Sequence, residues 1–292
     1  MRALKETPWG RAHWRAPALR AEGGVAATMF LYDFTFALEN ARVRVCAIAS
    51  FGVRRDLRGR GIGRRLMEEA HGLLAREGYD AALLYSLIDP GYYERLGYTV
   101  LPTQHLEAGM DGWREAGPRS RTPSGIRPYE PRDFPSVRNL YNTHVSAQRM
   151  ACLREDDYWE FDIMRERLLH EMFSRKNHPW AFLVGEREGR VVSYLRTRFT
   201  GDDTLRVLEY GFEAGAKEDV TAMLRFLMER LEREGVSRLR GKVPSRFVNL
   251  CPARQFRWEE KRLVMVRPIR ENFLLPPFAH PDEYFHWTID LL

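Results

Sequence analysis

Three glycines in five positions, Gly59, Gly61 and Gly63, close the run Val53-Arg-Arg-Asp-Leu-Arg-Gly-Arg-Gly-Ile-Gly63, and a helix-like pattern begins at Ile62. Glycine lets the backbone turn tightly and expose successive N–H groups, while a helix start adds unpaired donors and the positive end of the helix dipole. Such a place binds anions, and Arg58, Arg60 and Arg64 add charged donors, so the run reads as a pyrophosphate cradle. It is not an ATP loop, because no Lys-Ser/Thr pair ends it, and its spacing is not the G-x-G-x-x-G of a dinucleotide site. On these residues alone, a flexible basic loop capping a helix is the other reading.

A cradle of this kind needs a strand in front and a helix behind. Val43, Val45, Ala47 and Ala49 alternate with Arg44, Cys46, Ile48 and Ser50, which predicts a strand entering the interior. Gly52, late in that strand, marks Ser50-Phe51-Gly52 as the place where it bends or splays. From Ile62 the period changes: Ile62, Leu66, Met67, Ala70, Leu73 and Leu74 share one helical face, and Arg64, Arg65, Glu68, Glu69 and Arg76 the other, up to Gly78. Upstream, residues 14–21 and 25–36 read as a hairpin about Glu22-Gly23-Gly24. Downstream, 80–85 reads as a strand, 90–96 as a helical turn and 98–101 as a strand. This order predicts an α/β fold with a mixed sheet and the helix packed on it.

The Pro/Gly/Ser-rich stretch 117–125 reads as a linker, after which a second cycle begins. A strand is expected at Ile126, helices over 131–148 and 156–175, and a hairpin about Glu186-Arg-Glu-Gly189. A strand over 205–212, a helix through Val220, Met223, Leu224, Leu227 and Leu231, and a strand over 237–243 follow. The expected organisation is therefore two fused domains, 1–116 and 126–270, joined by 117–125 and followed by a tail, 271–292.

The cradle, with Val53 and the Asp56-Leu-Arg approach, resembles the Arg/Gln-x-x-Gly-x-Gly/Ala signature of the GNAT acetyltransferases. Tyr92-Tyr-Glu-Arg-Leu-Gly-Tyr98 resembles that family's Phe-Tyr-Glu-Lys-Leu-Gly-Phe segment. The resemblance covers roughly residues 43–100. It implies a GNAT fold, acetyl-CoA as co-substrate, no metal, and direct attack by a primary amine of a small molecule or peptide. On that likeness the backbone of Gly59, Arg60, Gly61, Ile62, Gly63 and Arg64, with the Arg58 side chain, holds the pyrophosphate. Val53 pairs with the pantetheine like an added strand, and the thioester lies by Phe51 and Gly52, where an N–H polarises its carbonyl. Tyr93 takes the place of the family's general acid, which protonates the leaving thiolate, and Tyr92 reads as core.

Other features depart from the family. Ile48-Ala-Ser-Phe-Gly52 carries no carboxylate where many relatives have a glutamate base; Ser50 is a poor base that could orient a water, and Asp33 and Glu39 read as exposed charges, so the general base is unassigned. The second half's loop, Gly211-Phe-Glu-Ala-Gly-Ala-Lys-Glu-Asp219, lacks the phosphate signature, which marks this half as a degenerate partner that shapes the acceptor pocket. Glu209, on the equivalent strand, could face an amine or make a surface salt bridge. Few residues precede the first hairpin, so either the second half completes the acceptor wall or the stated start is not the natural one. Two fused modules resemble, more loosely, the enhanced-intracellular-survival type of acetyltransferase, whose chain-terminal carboxylate can act as base; Leu292 offers that option here. The missing glutamate leaves a non-catalytic acyl-CoA-binding protein as the alternative.

Composition narrows the partners. Forty-six basic and 40 acidic residues give a net charge of +6, with the two signs intermixed, so a mixed surface is expected and nucleic acid is not. The three cysteines show neither Cys-x-x-Cys nor a zinc-like His pair, and Cys46 reads as a core thiol. No apolar run is long enough for a bilayer span and the first residues carry no signal-like apolar core, so the expectation is a cytoplasmic protein with no membrane partner.

Overall fold

The computed structural model describes residues 2–39, 41–86, 88–109, 125–146, 148–173, 181–200, 203–232, 235–251, 255–278, 280–282 and 284–285. Of the expected linker only Gly125 is among them, and Leu292 is not. The chain opens with two short helices, α1 (Arg2–Glu6) and α2 (Pro8–His13). The Thr7 hydroxyl accepts the Gly10 N–H at 3.0 Å and Pro8 holds the first helical position, a cap-and-proline start that sequence periodicity passed over in so short a segment. Strands β1 (Trp14–Arg15), β2 (Ala18–Ala21), β3 (Gly24–Leu38) and β4 (Ala41–Val53) follow as a meander. Helix α3 (Ile62–Arg76), strand β5 (Ala81–Tyr85), helix α4 (Gly91–Glu94) and strands β6 (Thr99–Val100) and β7 (Thr103–Gly109) come next.

The second half runs β8 (Ile126–Pro128), α5 (Phe134–Val145), β9 (Met150–Leu153), α6 (Asp156–Phe173), β10 (Ala181–Arg187), β11 (Arg190–Thr200), β12 (Thr204–Phe212), α7 (Lys217–Glu232) and β13 (Arg238–Gly241). It closes with β14 (Phe256–Lys261), β15 (Val264–Pro268) and β16 (Tyr284–Phe285). Two mixed sheets result, so the expected α/β class is found. The first follows the order β16-β9-β3-β4-β5-β15-β6, with β1 and β2 also beside β3; the second follows β14-β7-β13-β12-β11-β10-β8.

Strands cross between the halves. Strand β7 precedes the expected linker yet lies between β13 and β14 in the second sheet. Strands β9 and β15 follow it yet join the first sheet, β9 against β3 and β15 between β5 and β6. Val264, Met265 and Val266 of β15 are buried, as a continuous apolar run must be when a strand is covered on both faces.

Both faces of β4 are covered as well. Val43, Val45, Ala47 and Ala49 pack with Trp9 of α2 and with Tyr158 and Phe161 of α6, while Cys46 and Ile48 pack against Leu66, Met67, Ala70 and Leu74 of α3. The face of the first sheet opposite α3 is thus covered by the N-terminal helices together with α6 from the second half. Helix α6 reaches both sheets: Trp159 joins the core under β10 and β11, and Asp162 meets Arg196 of β11 at 2.7 Å with both side chains fully buried. No helix among the described residues is long and apolar enough to cross a membrane.

Three histidines make this packing pH-sensitive. Burial, aided by nearby cations, pushes His71, His105 and His144 each down to about 4. An unfolded histidine titrates near ~6.5, so between that value and about 4 the unfolded chain takes up protons that the native protein refuses. Stability should therefore be full above pH ~6.5 and fall as the pH drops toward 4, by roughly 1–2 kcal/mol per histidine at pH 5. Urea midpoints at pH 7.5 and 5 check this; equal midpoints would refute it.

Candidate functional site

Strand β4 pairs in parallel with β5 from Val45 opposite Ala81 to Ile48 opposite Leu84, and there the pairing ends. On its other side it stays paired with β3 as far as Val53 opposite Ala27. The two inner strands therefore separate beyond Ile48 and Leu84 into a slot at the carboxyl ends of parallel strands, where open α/β sheets bind ligands. The same stretch of β4 carries a one-residue bulge: Thr28 faces Gly52 and Phe30 faces Ala49, with Ser50 at φ 49°. The bend expected at Ser50-Phe51-Gly52 lies there, and the left-handed backbone at Ser50 takes up the extra residue.

Helix α3 points its first turn into this slot. Gly61 caps it at φ 76°, no side chain caps its free N–H groups, and its first turn holds no acidic residue. The three glycines have different reasons. Gly59 and Gly61 both stand at φ 76° with open space where a Cβ would sit, so they shape the loop and leave its amides accessible. A Cβ on Gly63 would come within 3.0 Å of the Phe51 ring and 3.1 Å of Val53 Cγ2, so that glycine lets helix and strand pack closely.

A cleft of about 750 Å³ opens between these elements, lined by Phe51, Gly52, Val53, Arg58, Gly59, Gly61, Ile62, Gly63, Arg64 and Tyr93 among the predicted residues. Arg60 and Ser50 are exposed and stand outside that lining. Leu57, Tyr85 at the end of β5, and Ser86 and Ile88 just past it also line the cleft and were not among the expected site residues. The signal available for the last three was their place at the end of a parallel strand. Tyr92, expected in the core, is half-buried against it and also lines the cleft, its hydroxyl 3.4 Å from the position a Gly63 Cβ would take. Tyr93 is only 5% exposed; burial raises its pKa and a hydrogen bond with the Ser86 side chain partly offsets this, so the phenol stays protonated at neutral pH.

The arginines of the cradle are partly engaged. Arg58 Nε donates to the Val53 carbonyl at 3.2 Å and Arg64 pairs with Glu68 at 2.7 Å, so the backbone donors at the start of α3 are the fixed part of the expected cradle. The carboxylates considered as bases lie elsewhere. Glu39 is exposed and pairs with Arg149, as expected of a surface charge. Asp33 departs from expectation: it is 21% exposed and bound to Arg15. Glu209 is no surface charge either, being fully buried 2.6 Å from Arg154, with the Tyr194 hydroxyl donating to it at 2.8 Å. Cys46 is a core thiol, and burial pushes its pKa up. Among the described residues no group of three or more potential ligands could hold a metal ion.

Known proteins are similar to this chain in sequence over part of its length and in fold over most of it. Residues 13–101 match the Acetyltransferase (GNAT) domain, which spans the meander, cradle, α3 and the Tyr92–Tyr98 segment. An uncharacterized N-acetyltransferase of Chlorobaculum tepidum is 30% identical over 73 residues, 25% of this chain and 45% of that protein. A GCN5-related N-acetyltransferase from Anabaena variabilis superposes with a TM-score of 0.67 at 15% identity, covering 92% of this chain and 66% of that one. Eis1 from Mycobacterium abscessus superposes with a TM-score of 0.57 at 15% identity, over 87% of this chain and 64% of that one. The likeness to the solved structures is one of fold. Residues 13–101 are thus similar in sequence to a GNAT acetyltransferase domain, and the whole chain is similar in fold to solved proteins of that kind. It spans less than half the length of the curated relative and about two thirds of the length of these solved chains.

The glycines separate fold from ligand. A Cβ on Gly52 meets nothing within 4 Å, so Gly52→Val should leave the melting temperature unchanged while weakening CoA binding at least tenfold, about 1.4 kcal/mol. Gly61→Ala should lower stability by roughly 1–2 kcal/mol, the cost of a left-handed residue with a Cβ. Calorimetric titration with CoA and thermal melts check both; a Gly52→Val protein that binds CoA normally would remove Gly52 from the site.

Proposed function

We propose that this protein is an N-acetyltransferase that moves the acetyl group of acetyl-CoA to a primary amine of a small molecule or peptide. The observation that carries the reading is the slot where β4 and β5 part: the uncapped start of α3 and the Tyr93 phenol line one cleft. The similarity of residues 13–101 to the GNAT domain supports an acyl-CoA as donor; the choice of acetyl and of the amine is ours.

The amides of residues 59–64 and the Arg58 guanidinium receive the pyrophosphate, and the unpaired edge of β4 about Val53 offers hydrogen bonds to the pantetheine as an added strand would. Acetyl-CoA supplies the acyl group as an activated thioester. A neutral amine nitrogen bonds to the carbonyl carbon, an N–H near Phe51 and Gly52 stabilises the oxyanion, and the C–S bond breaks. The attacking nitrogen, cationic in the tetrahedral intermediate, loses one proton to solvent as the amide forms; Tyr93, protonated and in the cleft wall, gives its proton to the leaving thiolate and takes one back from solvent.

Amine-dependent release of free thiol from acetyl-CoA tests this. Tyr93→Phe should slow release by ~10²-fold or more with little effect on CoA affinity, and Gly61→Glu should abolish both binding and turnover. A wild-type protein that binds acetyl-CoA tightly but releases no thiol with any amine in a broad panel is instead an acyl-CoA-binding protein.

A further inference from the structure

One guanidinium ties the cofactor helix to the turn behind Tyr93, and it comes from the far end of the chain. Arg267 of β15 uses a single nitrogen, Nη1, to donate to the Leu96 carbonyl at 2.6 Å and to His71 Nδ1 at 2.7 Å. Arginine can only donate, so Nδ1 is the accepting nitrogen, and His71 Nε2–H donates to the Tyr98 hydroxyl at 2.9 Å. His71 and Tyr98 are both buried, and His71 lies on α3, the helix whose first turn forms the cradle.

Leu96 and Tyr98 hold Tyr93 directly. The Tyr93 carbonyl accepts the N–H groups of Leu96 at 2.9 Å and Tyr98 at 3.1 Å, and the Tyr93 and Tyr98 rings meet edge-on at 5.9 Å. Gly97, at φ 83°, turns the chain there, and the Arg267 side chain lies 3.6–3.8 Å from where its Cβ would be. Helix α4 is a single turn of four residues, too short to hold its own orientation. Its position is set from outside, by β15 inserted between β5 and β6.

We propose that Arg267 is a positioning residue for the transfer reaction: through Leu96, His71 and Tyr98 it sets the Tyr93 turn against α3. The inference rests on the acetyltransferase reading for its effect on rate, though not for its effect on the turn. Strand β15 thereby makes the first half's cleft depend on the second half of the chain. A displacement of about 1 Å at a catalytic group can cost ~10²-fold in rate, which fixes the scale of the effect.

The test uses the full chain with Arg267→Met and Arg267→Lys, and reads three quantities: CoA affinity, amine-dependent thiol release, and hydrogen exchange of the Leu96 and Tyr98 amides. Arg267→Met should lower kcat by roughly 10- to 100-fold with Kd for CoA within about threefold, and should speed exchange at those two amides alone. Arg267→Lys, able to reach one of the two acceptors, should recover part of both effects and covers the case in which the methionine variant fails to fold. Unchanged kcat, or kcat, affinity and melting temperature falling together, overturns the inference while leaving the function reading intact. If the wild type releases no thiol with any amine, that reading falls, and unchanged exchange in either variant then overturns the positioning role by itself.

Discussion

At Ile48 strand β4 gives up one of its two neighbours, and the rest of the site depends on that loss. A strand in the middle of a sheet has no spare hydrogen-bonding groups, whereas one that parts from its neighbour exposes a row of donors and acceptors that must find water or a ligand. The bulge at Ser50 turns the strand as it leaves, Gly52 keeps the slot free of a side chain, and Phe51 and Val53 seat the start of α3 against it. The glycines of the cradle then aim free amides into the same space. Because the side chains of Arg58 and Arg64 are engaged nearby, these backbone donors are the fixed part of the cradle proposed for the pyrophosphate.

The walls of that slot are held by chain segments remote in sequence. Strand β15 supplies β5 with its second neighbour, and α6 covers the opposite face of the sheet. Helix α6 is docked by buried charge as well as by aromatic packing: Asp162 lies at 2.7 Å from Arg196, and Arg165 at 2.8 Å from Asp162. Arg154, just before the helix, meets Glu209 at 2.6 Å and lies over the rings of Tyr141 and Trp159. Buried pairs of this kind add little net stability, but a docking that leaves one charge unpaired costs about 3–5 kcal/mol, so they discriminate strongly between the correct placement of α6 and its neighbours. Strands and helices from the second half thus support the first sheet, on which the cleft lies.

The local structure around the cleft was legible because it is encoded at short range. Helix α3, the strand before it and the bend at Ser50-Phe51-Gly52 follow from hydrophobic period and from glycine, both of which act within a few residues. Tyr92 packs on the core as its ring suggests, and its second role in the cleft lining has no sign in sequence, because a ring next to a short helix does not tell which neighbour its hydroxyl meets. Asp33 and Glu209 were misjudged for a related reason. A lone carboxylate in a strand reads as exposed unless its partner is known, and Arg15 and Arg154 stand 18 and 55 positions away.

By itself, then, the sequence determined the cradle, its helix and the tyrosine that follows, since each depends on residue type and spacing within one supersecondary unit. The tertiary structure alone decided that β7 and β15 trade sheets, that α6 walls the first sheet, and that Arg267 reaches Leu96 and His71. Strand exchange leaves no local trace, because β7 and β15 show the same apolar periods whichever sheet receives them. Which one does is set by the pairing of backbone edges and the burial of side chains across the whole chain, terms that exist only once both halves have folded together.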